Sequence, residues 1–200
     1  MNKGMQVADD HQNMRQAQGA HCRLARTVVL VGMMGSGKTS VGTALARKLN
    51  VPFLDSDEEI ERAAQMSVAE IFERDGESFF RARESEVLSR LLTGPPAIVS
   101  TGGGAFLAAN NREMIARQGV SIWLEADVDI LWNRVKGKTN RPLLRSPNPR
   151  ATLERILSER VAIYRQAQLK VTAQSGFSVD VMAAKVIEYM CATPGICEEE

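Results

Sequence analysis

Cysteine and histidine are both scarce in this chain, which has three cysteines and two histidines in 200 residues. Cys22, Cys191 and Cys197 are too few and too widely spaced for a disulfide framework, so a reducing, cytoplasmic setting is favoured. No C-x-x-C pair is present, which disfavours a zinc site. His11 and His21 both fall in a polar N-terminal stretch, where a solvated tail is the simpler interpretation than a metal-binding arm.

An excess of charge of either sign is missing, and so is any long apolar run. The 25 basic and 24 acidic residues give a net charge of +1, which disfavours a general nucleic-acid binder or a partner for anionic membranes. No run reaches the roughly 18 apolar residues of a transmembrane helix. We therefore expect no nucleic-acid partner and no membrane partner. We also expect the chain to be a monomer.

Apolar runs divide the chain into three parts. Residues 1–22 are polar and lack the apolar stretch of a signal peptide, so they predict a flexible extension. No repeat or linker interrupts the part from 26 to 191, which predicts a single domain at 23–193 and a C-terminal tail at 194–200.

Short β-branched runs alternate with helical periodicity inside this domain, which predicts an α/β fold with a parallel sheet flanked by helices. Asn50 is a plausible helix C-cap, and Ser67-Val68-Ala69-Glu70 has the pattern of a capping box. The predicted strands are 27–31, 51–54, 97–100, 120–124 and 169–171, and the main predicted helices are 38–49, a short one from 67, 77–92, 151–168 and 178–191.

Residues 32–39, the phosphate loop, read G-M-M-G-S-G-K-T and match G-x-x-x-x-G-K-[ST] in full. They lie between a predicted strand and a predicted helix, as phosphate binding by backbone N–H groups requires. Lys38 is expected to reach the β- and γ-phosphates, and the Thr39 hydroxyl to ligate Mg²⁺. The loop predicts binding of ATP or GTP with Mg²⁺, which leaves a switch, a motor and a small-molecule kinase open.

Two acids follow the second predicted strand, in Asp55-Ser56-Asp57. If the segment is extended, both carboxylates project from the strand's C-terminal end, where open α/β sheets bind ligands. One would then lie near Mg²⁺ and the other near the attacking group. The alternative is a helix N-cap followed by a solvated acid.

Arg81 and Glu84 are three residues apart on a predicted helix. Glu84 either orients Arg81 toward an anion or forms a surface ion pair with it. Three consecutive glycines, Gly102, Gly103 and Gly104, follow a predicted strand. They indicate close approach of a ligand or positive φ, unless they only make a tight turn.

Basic residues accumulate in 130–153, a segment that is broken by prolines and contains no Asp or Glu; Asp129 lies just before it. It is typical of a mobile lid that closes over phosphates rather than of a core element, although a solvated loop is the alternative. Further on, Arg160 lies in an apolar stripe with Ile156 and Tyr164, so it needs either a bound carboxylate or an internal acid. The basic residues of the segment are Arg134, Lys136, Lys138, Arg141, Arg145 and Arg150.

Taken together, these motifs resemble the shikimate kinase family, a P-loop class related to nucleoside monophosphate kinases. The resemblance implies a five-stranded parallel sheet in the order 2-3-1-4-5, a lid and a substrate-binding subdomain. It also implies transfer of the ATP γ-phosphoryl group to the 3-hydroxyl of shikimate, in aromatic amino acid biosynthesis. The matching motifs are the phosphate loop, D-x-D at 55–57, F-R-x-x-E at 80–84, G-G-G at 102–104, R-P-L-L at 141–144 and R-x-x-x-Y at 160–164.

The resemblance further implies a role for each motif residue. Asp57 would contact the reacting hydroxyl, Arg81 and Arg160 would hold the carboxylate, and Asp55 would reach Mg²⁺ through water. Thr39 would be the direct Mg²⁺ ligand, and Lys38, Asp57 and Arg141 the catalytic residues. The glycines at 102–104 would line the substrate, with Gly103 on its ring side. The implied ATP contacts are Gly35, Ser36, Gly37, Lys38, Thr39 and Ser40, with Arg141 on the phosphates and Arg134 on the adenine face.

One position departs from the family pattern, because Thr172 stands where an Asp often follows the fifth strand. No residue of the adenine loop at 172–177 is therefore assigned. Two other functions stay open: a P-loop kinase for another small acceptor, such as gluconate or a nucleotide, and a nucleotide-binding regulatory module without turnover.

Overall fold

A computed structural model gives the structure of the chain and describes residues 22–137, 142–144 and 146–199. The predicted extension at 1–22 lies outside these residues except for Cys22. Lys138, Arg141 and Arg145 of the basic segment lie outside them as well. Among the helices of the described part, none combines the length and the apolar composition needed to cross a membrane.

A five-stranded parallel sheet forms the centre of the fold. The seven strands of the described residues are β1 (Cys22–Leu24), β2 (Thr27–Val31), β3 (Phe53–Asp55), β4 (Ile98–Ser100), β5 (Gly119–Glu125), β6 (Leu169–Thr172) and β7 (Cys197–Glu199). The sheet has the order β3-β4-β2-β5-β6, which is 2-3-1-4-5 when its own strands are numbered along the chain. The predicted sheet and its strand order are therefore confirmed.

The central strand, β2, is buried along its whole length, which explains its uninterrupted apolar and β-branched composition. Helices flank the sheet: α1 packs against α7 and β4, and α4 packs against β5 and α3. The helices are α1 (Lys38–Leu49), α2 (Ser56–Ala64), α3 (Val68–Thr93), α4 (Ala109–Gln118), α5 (Val128–Val135), α6 (Pro149–Tyr164) and α7 (Val179–Cys191), with 3₁₀ turns at Ala105–Leu107 and Pro142–Leu144.

Local sequence signals set several helix ends. Asn50 ends α1 in the left-handed conformation with φ 51°. The Ser67 hydroxyl accepts from the Glu70 N–H while the Glu70 carboxylate accepts from the Ser67 N–H, so the predicted capping box is confirmed. Gly76, at φ 81°, breaks α3 into the short and long helices that the sequence predicted as separate.

The basic segment at 130–153 differs from the expectation of a lid outside the core. Its first residues belong to α5 and its last residues to α6, because Leu131, Val135 and Leu153 are buried in the core. The prediction of a non-core segment is therefore wrong at both edges. Helix α6 also ends at Tyr164, four residues before the predicted end at 168.

Both ends of the described chain meet in a second, two-stranded sheet that the sequence did not predict. Strand β7 pairs antiparallel with β1, and Ala25 N–H donates to the Ile196 carbonyl at 2.9 Å. Ile196 is buried, so this part of the predicted tail packs on the domain. Cys197 is disulfide-bonded whereas Cys191 is free. The sequence analysis argued only against a framework of several disulfides, and it did not predict the disulfide bond of Cys197.

Candidate active site

A cavity of about 560 Å³ opens at the carboxyl ends of β2, β3 and β4. It is lined by the phosphate loop, by both acids of the D-x-D motif, by residues 100–103 and by the start of α7. It thus brings together eleven of the predicted site residues: Gly35, Ser36, Gly37, Lys38, Thr39, Ser40, Asp55, Asp57, Gly102, Gly103 and Arg134. Arg160 joins this set through its hydrogen bond to the Gly103 carbonyl, whereas Arg81 and Gly104 lie beside each other and are not among the residues that line the cavity.

The phosphate loop needs glycine at its turns. Gly35 has φ 82° and Gly37 has φ 98°, and a Cβ on Gly35 would lie 2.7 Å from Val135 Cγ1. Between them, the Ser36 hydroxyl oxygen is buried and has no hydrogen-bond partner among the described residues. The loop is thus shaped for an anion at the N-terminus of α1.

The Lys38 ammonium lies across the mouth of this loop. Its Nζ donates to the Gly32 carbonyl at 2.9 Å and to the Met33 carbonyl at 3.1 Å. The side chain is almost buried, at 9% exposure, so its charge acts in surroundings that screen it less than bulk water would. This position is the one from which Lys38 can reach a phosphate held by the loop.

Arg134 lies on the phosphate loop rather than away from it. One of its guanidinium nitrogens, Nη1, donates to the Gly35 and Ser36 carbonyls at 3.2 Å each. The guanidinium therefore borders the cavity from the α5 side, next to the loop backbone.

The two acids of the D-x-D motif differ in position from the sequence prediction. Asp55 ends β3 and Asp57 lies in the first turn of α2, so the segment between them is not extended. Asp55 is the N-cap of α2: its Oδ1 accepts from the Asp57 N–H at 3.0 Å, and its Oδ2 accepts from the Thr39 hydroxyl at 3.3 Å. The capping interpretation holds for Asp55, whereas Asp57 is turned into the cavity instead of being solvated.

Asp57 has the most unusual electrostatics of the site. Burial and the neighbouring Asp55 carboxylate raise its pKa to about 6, although Lys38 and Arg81 pull it down. Its Oδ1 is buried without a hydrogen-bond partner among the described residues. Such a carboxylate, poised near neutral pH and with an open acceptor atom, can orient a hydroxyl and accept its proton.

Arg81 is held by a buried acid and not by a surface pair. Its Nη1 donates to Glu84 Oε2 at 2.8 Å, and Glu84 is only 1% exposed. Burial raises the pKa of Glu84, the Arg81 charge lowers it, and the nearby Asp57 raises it again. A second, exposed acid, Glu77, binds the other side of the guanidinium. The orienting interpretation of the F-R-x-x-E motif therefore matches the geometry.

Glycine is needed in the triplet because charged side chains lie close to its backbone, and not because the backbone adopts positive φ. A Cβ on Gly102 would lie 2.8 Å from Asp57 Oδ1, and one on Gly104 would lie 2.6 Å from Arg81 Nη1. Neither glycine has positive φ, so the conformational alternative does not apply. A side chain at either position would displace one of the two charged groups.

Arg160 finds its partner in the backbone of this triplet. Its Nη1 donates to the Gly103 carbonyl at 3.2 Å, and the Tyr164 hydroxyl donates to the same oxygen at 2.6 Å. The partner that the sequence left open is therefore a carbonyl. The guanidinium retains further N–H groups for a ligand.

Four of the cavity residues that the sequence did not assign come from the start of α7 and the turn before it. They are Phe177, Ser178, Val179 and Met182. Their residue types carry no chemical signal, and only the sheet topology places them opposite the phosphate loop. Ser56 was missed as well, although its hydroxyl accepts from the Gly102 N–H at 3.3 Å.

Comparisons with known proteins identify the family of the chain. A model of the shikimate kinase family matches residues 34–191. A shikimate kinase of Cereibacter sphaeroides is 57% identical over 188 residues, which are 94% of each chain, and one of Ruegeria pomeroyi is 53% identical over 94% of this chain and 97% of its own. The solved structure of a shikimate kinase from Acinetobacter baumannii in complex with shikimate superposes with a TM-score of 0.79 at 38% identity, covering 84% of this chain and 93% of that one. The chain therefore belongs to the shikimate kinase family.

Proposed function

We propose that this chain transfers the γ-phosphoryl group of ATP to the 3-hydroxyl of shikimate, giving shikimate 3-phosphate and ADP. The observation that carries the proposal is the position of Asp57, a half-buried residue with a buried Oδ1 that shares one cavity with the phosphate loop. Two arginines, each held by an ordered partner, converge on the same glycine triplet. A nucleotide phosphate and an anionic alcohol can thus meet at one acid.

ATP binds along the phosphate loop in this account. Backbone N–H groups of Gly35, Gly37 and the first turn of α1 hold the phosphates, and Ser36 and Ser40 lie beside them. Lys38 neutralises charge that develops on the transferred group. Arg134 borders the adenine side, and Arg141, which lies outside the described residues, closes on the phosphates.

Thr39 and Asp55 are the residues that would hold Mg²⁺. Their oxygens lie 3.3 Å apart at the edge of the cavity. The described residues contain no cluster of three or more metal-ligating side chains, which suits an ion that takes most of its ligands from phosphate and water. When bound, Mg²⁺ would supply charge neutralisation on the phosphates.

Asp57 receives the acceptor hydroxyl. Its unpartnered Oδ1 is the atom to which the 3-hydroxyl donates, and its carboxylate accepts that proton as the new P–O bond forms. The bond that breaks joins the γ-phosphorus to the bridging oxygen, which leaves with ADP. Positioning and electrostatic stabilisation supply most of the rate, because phosphoryl transfer needs little other chemistry from the protein.

Arg81 and Arg160 hold the carboxylate of shikimate. Glu84 fixes Arg81, the Gly103 carbonyl fixes Arg160, and the missing side chains at Gly102 and Gly104 let Asp57 and Arg81 lie close to the backbone of the triplet. We expect Arg81→Ala and Arg160→Ala each to weaken shikimate binding far more than ATP binding, since each removes a charge-assisted hydrogen bond. Calorimetry with each ligand separately measures this. A loss of ATP affinity with unchanged shikimate affinity would reject the assignment.

We also expect the protein to work in the cytoplasm, because its co-substrate ATP is abundant there, and to be a monomer. Sedimentation of the purified chain at several concentrations tests the second expectation. A mass that corresponds to a dimer at all of them would overturn it.

An acceptor screen tests the proposed function against its two alternatives. Purified chain is mixed with ATP and Mg²⁺ and with shikimate, gluconate, a nucleoside monophosphate or no acceptor, and ADP is measured. We expect ADP formation above background with shikimate only. ADP with gluconate or a nucleotide would indicate another small-molecule kinase, and no ADP with any acceptor would indicate a regulatory module.

A further inference from the structure

Tyr164 is fully buried near the end of α6, and the reaction outlined above gives it no role. It has 0% exposure, and its hydroxyl donates to the Gly103 carbonyl at 2.6 Å. This short hydrogen bond joins residues 61 positions apart. It ties the helix that carries Arg160 to the glycine triplet.

The Gly103 carbonyl accepts two hydrogen bonds of unequal length. The bond from Tyr164 is 2.6 Å long, and the bond from Arg160 Nη1 is 3.2 Å long. The shorter bond comes from a rigid, buried ring and the longer one from a flexible, half-buried guanidinium. The tyrosine therefore determines where the carbonyl lies, and the carbonyl in turn gives Arg160 its resting place.

The Tyr164 ring is itself held against the central sheet. It stacks on Trp123, with ring centroids 6.1 Å apart and planes at 28°. Trp123 is buried in β5, and a Cβ on Gly32 would lie 3.2 Å from its Cδ1. The ring is thus packed between a sheet strand and α6, which leaves its hydroxyl little freedom.

We propose that Tyr164 is a positioning residue for the acceptor, and that its hydroxyl fixes the Gly103 carbonyl so that Arg160 is aimed at the carboxylate of shikimate. This inference rests on the proposed function. The inference goes beyond that function because it states that the Tyr164 hydroxyl, which touches neither substrate, affects the affinity for shikimate and not the affinity for ATP. Burial raises the pKa of the phenol above its ordinary value, so the hydroxyl remains a donor throughout the working pH range.

Tyr164→Phe tests the proposal because it removes one oxygen and keeps the ring. Loss of one hydrogen bond of about 1 kcal/mol raises the KM for shikimate by about fivefold to tenfold. The KM for ATP and kcat should stay within about twofold, since the hydroxyl contacts neither the nucleotide nor the transferred group. Tyr189→Phe, at the other tyrosine of the chain, is the matched control, because Tyr189 is 45% exposed on α7 and should leave both KM values unchanged.

A double-mutant cycle separates positioning from general packing. In an Arg160→Lys background, which lacks the guanidinium fork, Tyr164→Phe should change the shikimate KM by less than about twofold, whereas in an Arg81→Lys background it should keep its full effect. Equal rises in both KM values, or the same rise in the Arg160→Lys background, would overturn the inference.

A second measurement does not depend on folding of the Tyr164→Phe chain. In the Tyr189→Phe protein, Tyr164 is the only tyrosine, so isotope-labelled tyrosine gives a single ring resonance. Shikimate should shift this resonance, because its carboxylate binds the Arg160 guanidinium that shares the Gly103 carbonyl with the Tyr164 hydroxyl, and Arg160→Lys should abolish the shift. An unmoved resonance in a protein that turns over shikimate would reject this inference alone. A wild-type chain without shikimate turnover would reject the proposed function and this inference with it.

Discussion

At the scale of single residues, Asp57 differs from its neighbour Asp55 although both line one cavity. Asp55 has its oxygens occupied by the Thr39 hydroxyl and the α2 backbone, which makes it a helix-capping group. Asp57 has an unpartnered oxygen and a pKa of about 6, raised first by burial. Two acids of the same type thus have different chemistry, because one caps a helix and the other does not.

Asp57→Asn should lower kcat by about 100-fold or more, because the amide cannot accept the proton of the hydroxyl. The affinity for shikimate should change much less, since the amide oxygen still accepts a hydrogen bond. Steady-state kinetics with both substrates varied measures the two effects. Glu58→Gln, an exposed neighbour on α2, is the matched control and should leave kcat unchanged. A kcat near the wild-type value for Asp57→Asn would contradict the proton-accepting role.

The same substitution should stabilise the protein in the absence of nucleotide and metal. Because the pKa of Asp57 is raised from 3.8 to about 6, the folded state holds this proton more tightly than the unfolded state does. The free energy of unfolding therefore falls as pH rises from about 4 to about 6 and stays lower above that range. Asparagine removes this loss, so we expect Asp57→Asn to be more stable than wild type by about 1 to 2 kcal/mol at about pH 8.

Urea unfolding at about pH 8 and at about pH 4 measures this difference. The gain should shrink toward the acid value, where the wild-type carboxyl is protonated as well. An equal gain at both pH values would show that the effect has another origin.

At the scale of elements, the capping box at Ser67 starts the helix that carries Arg81 and Glu84. Both of its reciprocal hydrogen bonds are formed, and the Ser67 N–H reaches Glu70 Oε2 at 2.7 Å. Gly76 then separates the capped turns from the part with the two site residues. A local signal in the sequence thus sets the start of the helix that carries the F-R-x-x-E motif.

Ser67→Ala should lower the free energy of unfolding by about 1 kcal/mol, because loss of the Ser67 hydroxyl leaves the Glu70 N–H without its acceptor. For a chain of this size the melting temperature should fall by about 2 to 4 °C. Thermal unfolding followed by circular dichroism measures it. Ser158→Ala, at an exposed position within α6, serves as the control. Equal shifts for both variants would contradict the importance of the cap.

At the scale of the whole molecule, the β1–β7 pair closes the chain on itself. Leu24 and Ile196 are both buried there, and Ala25 bonds to the Ile196 carbonyl. A boundary at residue 193 would exclude this contact from the domain. The pairing joins opposite ends of the described chain, so it adds to stability without touching the cavity.

Ile196→Ala should therefore lower the free energy of unfolding by about 2 kcal/mol, the low end for a buried isoleucine. Its kcat and both KM values should be unchanged. Glu198→Ala, at an exposed position of the neighbouring strand β7, should have little effect on either property. If Ile196→Ala were as stable as wild type in urea unfolding, residues 194–200 would behave as the tail that the sequence predicted.

Sequence reasoning succeeded where the signal is local. The phosphate loop, the Asn50 cap and the Ser67 box each lie within a few residues, and short β-branched or apolar runs located the five strands of the central sheet. Three helices were not predicted: α2, whose first turn was expected to be extended, α4, and α5, most of which was assigned to the basic segment.

Contacts between distant residues were beyond that reasoning. The spacing of Arg81 and Glu84 does not say that Glu84 is buried, and nothing near Tyr164 points to a carbonyl 61 positions away. Burial also decides the pKa of Asp57, and burial is a property of the assembled fold. The residues of the site and the Arg81–Glu84 pair could therefore be proposed from motifs, but not the burial of Glu84 or the contacts to Gly103.

The central claim is that one cavity transfers a phosphoryl group from ATP to the 3-hydroxyl of shikimate, and identification of the product tests it most directly. Purified chain is incubated with ATP, Mg²⁺ and shikimate, and the product is analysed by phosphorus and proton NMR, with Lys38→Ala as the control for contaminating kinases. The account predicts a single monophosphate ester on C3, formed in equal amount with ADP by wild type and reduced at least tenfold, about 1.4 kcal/mol of barrier, by Lys38→Ala. Phosphate on another hydroxyl, inorganic phosphate alone, or equal product from both chains would contradict it.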